Sequence, residues 1–515
     1  MNRNDRILAT GGVLLLAAGA ILSTGEPAPQ QIWMHTESCH VPATWLPARQ
    51  PSNRILVFHG LSANRRLMLT LGAWLHADNT SVYLFDLPGH GDHPAPFSFQ
   101  RAEQCAAEVV EALATRDDPA GHHTALLGHS MGGGIVVRLA DQLPTAATIA
   151  ISPGLGGTPR RMPVNLLILT GDFDIPQLQR QARKLLEAAG GTRTAPEDFV
   201  QRRAAELVRI PRATHSSYLL DAEAAALMRS WLARSLPDYR PASDLPSRRR
   251  LWGLLSGLFG LLFLYTVLAA RFARWLRRTS PAQPVSVPVV PALVGWALAA
   301  LLAVAALHVW LPLGWLRLYD GDYLASYLFV VGSILVVLQT RGKRILRAAT
   351  EGRPAPLPRP SALRHEALPA LGGALAGVTA MLAFGAWLNW TGCDLWLNAP
   401  RWWRFAALLP FLLPYFAAEE RVLGAPSAEW RGELRRYAQF ALLRSMLAVA
   451  LLVPIFLLGR GPVLALLLLP YAVLLSLLQR LAADQLRRHA NSAAAACCFS
   501  VILMAWLMAA ILPIT

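Results

Sequence analysis

The chain has 515 residues, 48 lysines plus arginines against 32 aspartates plus glutamates (net charge +16), and 54% hydrophobic residues. The length excludes a single small domain. The positive charge does not imply a nucleic-acid partner, because only Lys184 and Lys343 are lysines and no nucleic-acid-binding motif accompanies the arginines.

The apolar residues are unevenly spread. To about Leu245 the chain is mixed and charged; beyond it, Leu/Ala/Val/Trp runs alternate with Arg-rich and Pro-rich breaks. The first apolar stretch, Ile7 to Leu22, lies behind Arg3 and Arg6. It is slightly short of the ~20 residues that a bilayer core requires. No convincing A-x-A site follows it, so residues 1–24 read as a signal anchor rather than a cleaved signal peptide. Either reading sends the next segment across a membrane.

Residues 53–236 alternate strand and helix, the pattern of an α/β domain with a mainly parallel sheet and helices on both faces. Ile55-Leu56-Val57-Phe58 reads as a buried strand ending in His59-Gly60, and Ser81-Val82-Tyr83-Leu84-Phe85 as another ending in Asp86-Leu87-Pro88-Gly89-His90-Gly91. A helix is expected over 99–115. Next, Thr124-Ala125-Leu126-Leu127 runs into Gly128-His129-Ser130-Met131-Gly132, followed by Gly133-Gly134-Ile135-Val136-Val137. This is G-x-S-x-G at a strand-to-helix turn, which exposes a strained serine and aims the free N–H groups of the new helix at any oxyanion formed there. Further strands are expected over 146–151 and 165–170, the second ending at Gly171-Asp172-Phe173-Asp174, and near 207–210 before Ala213-Thr214-His215. A helix over 218–234 closes the region. Helices are also expected over Gln177–Ala189 and Glu197–Glu206.

In this order the motifs resemble the alpha/beta-hydrolase superfamily, in the branch of serine aminopeptidases, monoglyceride lipases and related esterases, over about 180 residues. The resemblance implies Ser130 as nucleophile, His215 as general base and Asp174 as the acid that orients it, with the backbone N–H groups of Leu61 and Met131 as oxyanion hole. Asp172 is the alternative acid. His59, His90, His129 and Asp86 are expected to shape turns. His93, His122 and His123 have no carboxylate or cysteine partner at useful spacing, so no metal and no cofactor are expected. Many family members insert a helical lid after the strand that ends here at Ile151. Only about ten Gly/Pro-rich residues, Ser152 to Arg161, follow it, so an open cleft is expected, partly covered by the Asp174–His215 insertion or by the membrane surface. Cys39 and Cys105 both lie in this half; they pair only if it faces an oxidising compartment and the fold brings them together.

Eight apolar runs follow, at about 251–270, 289–311, 322–340, 367–389, 402–418, 441–458, 462–479 and 493–513. With the N-terminus inside, the inner loops hold eighteen lysines and arginines and the outer loops four, apart from Arg248-Arg249-Arg250, which lie outside behind a long translocated domain of the kind that crosses largely regardless of charge. That positive-inside bias puts the hydrolase-like half outside the cytoplasm of a bacterial-type inner membrane. Glu419-Glu420-Arg421 is expected to anchor or cap a helix at the interface. His308 near a span end, and Asp320, Asp322 and Asp394 in outer loops, are further ionisable candidates. Trp387 to Trp396 and Trp402-Trp403 fit an aromatic belt.

The expected organisation is an anchor (1–24), an alpha/beta-hydrolase domain (25–247) and a polytopic membrane domain of about eight helices (248–515). The expected function is a membrane-bound serine hydrolase acting on an acyl substrate, a lipid or lipid-linked one favoured, with the bilayer as partner. The alternative is a transport or scaffold protein that uses the fold for binding.

Overall fold

The computed structural model describes residues 3–24, 29–116, 123–140, 142–157, 159–241, 248–276, 289–309, 314–351, 360–427, 429–458 and 462–515. His122 and the loop arginines Arg277, Arg278, Arg353, Arg359 and Arg460 lie outside the described residues. Two compact units form. The sheet unit comprises Ala17–Ser256, Leu388–Asp394 and Pro513–Thr515; the helical unit comprises Met1–Leu16, Gly257–Trp387 and Leu395–Leu512.

The sheet unit is built on eight strands, β1 (Gln30–His35), β2 (His40–Leu46), β3 (Asn53–Phe58), β4 (Thr80–Phe85), β5 (Thr124–His129), β6 (Ala147–Ile151), β7 (Leu166–Phe173) and β8 (Ala205–Thr214), in one sheet. Their spatial order is β1-β2-β4-β3-β5-β6-β7-β8. From β4 across to β8 all neighbours are parallel, while β1–β2 and β2–β4 are antiparallel. This is the alpha/beta-hydrolase architecture. β5 and β6 are buried at every residue, which explains their mostly apolar sequence: both sheet faces are covered. Alternate residues serve opposite faces. Leu127, Ile149 and Leu167 enter the large core with Met228, Trp231 and Leu232, while Ala150, Leu166 and Ile168 meet Val137, Ala182 and Leu185.

The sequence did not announce the β1–β2 hairpin. β1 is a mostly exposed edge strand on which only Ile32 and Met34 are half-buried, and Pro42 interrupts β2. Around the sheet lie α2 (Leu69–Leu75), α3 (Phe99–Arg116), α4 (Met131–Leu139), α5 (Pro176–Ala188), α6 (Pro196–Val200) and α7 (Ala222–Ser235); α1 (Arg3–Ser23) precedes them. One expectation changes here. The helix expected over Glu197–Glu206 ends at Val200, and Glu206 lies on β8, because Leu207, Val208 and Ile210 carry a strand that pairs with β7. α5 buries Ala182 and Leu185 against the sheet, so it serves as the crossover from β7 to β8. Among the described residues between β6 and β7 there is no helix.

Cys39 and Cys105 are disulfide-bonded, with Cα atoms 5.6 Å apart, tying the start of β2 to α3 across 66 residues of chain. Closing so long a loop restricts the unfolded chain. Replacing both cysteines by alanine is therefore expected to lower the stability of the sheet unit by about 2–4 kcal/mol. The shift of its guanidinium unfolding midpoint checks this, and a midpoint that does not move would contradict it.

Each expected apolar run falls within one helix or overruns it by two residues at most: α8 (Arg249–Trp275), α9 (Val289–Val309), α10 (Gly321–Glu351), α11 (Pro360–Thr391), α12 (Ala399–Leu423), α13 (Trp430–Leu458), α14 (Val463–Ala490) and α15 (Ala493–Ile511). Among the described residues eight helices are long and apolar enough to cross a membrane, α1 and all of these except α12. Small residues allow close crossings. A Cβ on Gly12 would press on the Gly260 carbonyl, and one on Gly332 or Gly373 would run into the backbone of Tyr415 or Ala495.

α12 is set apart by its charges. Glu419 and Glu420, expected at an interface, are fully buried within the unit. Glu419 pairs with Arg444 at 2.9 Å and accepts from the Tyr415 hydroxyl at 2.9 Å. Glu420 pairs with Arg480 and Arg487, Arg480 also reaches Asp484 at 2.5 Å, and Asp484 pairs with Arg436. The expected inner-loop arginines Arg436, Arg480 and Arg487 therefore lie on helices, inside an ionic network. At the other end of α12, Arg401 and Arg404 donate to the carbonyls of Ala509 and Leu316. Asp322 accepts from the N–H groups of Leu316 and Leu318, and Asp320 from that of Leu464. His308 is exposed on α9.

Candidate active site

Ser130 stands between β5 and α4 with φ 54° and ψ −112°, a conformation that L-residues seldom adopt. Its surroundings hold it there. Its N–H donates to the Ile151 carbonyl at 2.8 Å, and its own carbonyl accepts from the N–H groups of Gly134 and Gly154 at 3.0 and 2.9 Å. The flanking glycines are required by space. A Cβ at Gly128 would strike the Gly132 backbone, and one at Gly132 would strike the carbonyl of Phe58 on β3.

The structure brings the three residues of the expected triad together. His215, just beyond β8, places Nε2 3.0 Å from Ser130 Oγ, and its Nδ1 lies 2.9 Å from Asp174 Oδ1. Asp174 follows β7, and its side chain is completely buried. Burial alone would raise its pKa. Hydrogen bonds from His215, Ser152 and Tyr218 outweigh burial and hold the carboxyl at about 2. The alternative acid, Asp172, faces away: it pairs with Arg209 at 2.8 Å and accepts from the Arg212 N–H at 3.0 Å.

Two groups at this site had no motif to reveal them. Ser152, buried with φ 47°, sets Oγ 3.1 Å from His215 Nδ1, and the Tyr218 hydroxyl donates to Asp174 Oδ2 at 2.7 Å. Their signals were positional. Ser152 is the first residue after β6, the strand beside β5, and Tyr218 stands three residues past His215.

His59, His90, His93 and His129 are buried in the frame. His129 Nε2 lies 2.7 Å from the His215 carbonyl; burial and the neighbouring imidazole lower its pKa to about 3, so it stays neutral. Burial also lowers the pKa of His59, whose Nε2 accepts from the Leu87 N–H at 3.0 Å, and brings that of His93 to about 4. Asp86 forms a buried ion pair with Arg65. Leu61 lies in the turn after β3, and Met131 is the first residue of α4. Among the described residues no group of three or more His, Cys, Asp or Glu side chains is placed to hold a metal.

Residues 55–285 match the sequence model of the alpha/beta hydrolase family. Over 99 residues, 19% of this chain, it is 34% identical to an uncharacterized protein of Mycobacterium tuberculosis, and the match spans 35% of that relative's length. It is 25% identical over 101 residues to protein phosphatase methylesterase 1 of Candida albicans, covering 28% of that protein. The chain thus spans about a third of the length of these relatives. Among solved structures, an alpha/beta serine hydrolase without a lid from Xanthomonas campestris aligns over 41% of this chain and 97% of its own, at 19% identity and a TM-score of 0.32. An esterase of Pyrococcus furiosus aligns over 42% of this chain and 95% of its own, at 14% identity and a TM-score of 0.33.

Proposed function

We propose that this protein is a membrane-bound serine hydrolase that cleaves ester, thioester or amide acyl bonds through an acyl-enzyme at Ser130. One observation carries the reading: the hydroxyl–imidazole–carboxylate series with separations of 3.0 and 2.9 Å. As Ser130 Oγ attacks the acyl carbonyl carbon, His215 Nε2 takes its proton, and Asp174 stabilises the imidazolium that results. The carbonyl oxygen becomes an oxyanion facing the N–H groups of Met131 and Leu61. Collapse expels the alcohol, thiol or amine, which leaves with the proton from His215. Water then enters by the same route, giving its proton to His215 and freeing the acid.

The apolar helices favour a lipid or lipid-linked acyl substrate, with peptides next. The positive-inside bias and the Cys39–Cys105 disulfide favour a catalytic unit outside the cytoplasm of a bacterial-type inner membrane. A fluorophosphonate probe tests the chemistry: the wild type is expected to label, and Ser130→Ala to lose the label. In spheroplasts, a membrane-impermeant version of the probe reads the side. Failure of the folded wild type to label would favour a binding or scaffold role.

A further inference from the structure

Two stretches from the C-terminal half of the chain, Leu388–Asp394 and Pro513–Thr515, belong to the sheet unit. Both meet the loops that follow β3 and β4. Arg66, five residues beyond Leu61, donates through Nη1 to Asn389 Oδ1 at 2.6 Å and to the Asn389 carbonyl at 3.1 Å. Its Nε lies 3.7 Å from Asp394 Oδ2, and Asn64 Nδ2 donates to the Asp394 carbonyl at 2.8 Å. Gly392, at φ 101°, turns this segment against Leu69, in a conformation that a side chain would strain. The loop after β4 is held in the same manner. The Ile514 N–H donates to the Gly89 carbonyl at 2.9 Å, and its carbonyl accepts from the Phe97 N–H at 2.6 Å.

The two loops are also tied to each other. The Ser62 N–H donates to His90 Nε2 at 3.1 Å, the Leu87 N–H to His59 Nε2, and the Arg65 N–H to Asp86 Oδ1 at 2.7 Å. Ser62 sits at φ 61°, a strained setting that persists only where the surroundings enforce it.

We infer that Arg66, with Asn389 and Asp394, is a positioning cluster for the oxyanion loop, so that segments from the C-terminal half complete the active site. The inference rests on the function proposed above. An oxyanion donor works only about 3 Å from the developing charge, and losing one lowers kcat by about 10²–10³-fold. Displacing it by about 1 Å can forfeit about 10²-fold. Arg66 would touch none of the reacting atoms; it acts on where Leu61 lies.

The test uses the full-length protein in detergent micelles with p-nitrophenyl butyrate. Arg66→Ala is expected to lower kcat about 10-fold or more and to leave KM within about twofold, since ground-state binding does not use the oxyanion donors. Arg66→Lys, which retains a donor for Asn389, is expected to recover much of the loss. Ile514→Pro, which removes one N–H, is expected to lower kcat more mildly and serves where Arg66→Ala does not fold. Unchanged kcat in both variants would overturn the inference, as would a loss in KM alone. If the wild type neither turns over nor labels at Ser130, the proposed function fails. Deuterium exchange over residues 60–68 then still decides the positioning: faster exchange in Arg66→Ala supports it, and unchanged exchange overturns it.

Discussion

Asp174→Asn lowers kcat by about 10³–10⁴-fold with KM nearly unchanged, the size of effect expected when a triad imidazole is held in the wrong tautomer. The carboxylate is an acceptor only, and it meets His215 Nδ1 at 2.9 Å. That contact requires the proton on Nδ1, which leaves Nε2 free to accept from Ser130 3.0 Å away. An asparagine can turn its NH₂ toward Nδ1 and draw the proton to Nε2, where the serine proton can no longer go. Asp172→Asn is the control and is expected to leave kcat within about twofold, because Asp172 faces Arg209 and the Arg212 N–H rather than His215. Equal losses in both variants would refute the assignment.

The same carboxylate leaves a trace in stability. Its pKa is held at about 2, below the 3.8 of an unperturbed aspartate. A depressed carboxyl pKa contributes stability that is present above its unfolded value and lost as the pH falls toward its folded one. Wild-type stability should therefore fall more steeply than that of Asp174→Asn between about pH 4 and pH 2, as urea unfolding at stepped pH would read.

How much of this was legible beforehand depended on how local each signal was. Ser130 could be singled out because a buried strand, flanking glycines and a helix start all fall within a dozen residues, and each has a steric reason. The parallel core of the sheet was legible for a similar reason, since strands covered on both faces are mostly apolar. Contacts made by distant segments left no such mark. Ser152 and Tyr218 reach Asp174 only because β6 and β7 are adjacent and the chain turns after His215. Arg66 meets Asn389 across 323 residues, a relation that neither neighbourhood displays. The β1–β2 hairpin escaped notice because an edge strand needs no apolar alternation. Charge was misleading in the helical unit: Arg436, Arg480 and Arg487 read as loop residues, since a polar helix segment and a loop look alike until the partners of their charges are known.

Those partners set the second large effect. Arg480→Met is expected to lower the stability of the helical unit by about 3–5 kcal/mol, the scale on which a buried ion pair fails when one member is removed. Arg480 and Glu420 are each 1% exposed, and Arg480 also serves Asp484, so the substitution strips two buried carboxylates of a shared cation. A pair at a membrane interface would have water to replace the lost partner, and its removal would register about 1 kcal/mol or less. The magnitude therefore separates an internal ionic network from interfacial capping. Glu420→Gln introduced into Arg480→Met should recover a substantial part of the loss, because it removes one of the stranded charges; Arg487, left without Glu420, sets the limit of that recovery. Tryptophan-fluorescence melts of the four proteins in one detergent measure the coupling. Additive losses, each below about 0.5 kcal/mol, would mean that these charges are solvated and that the network does not hold the helices together.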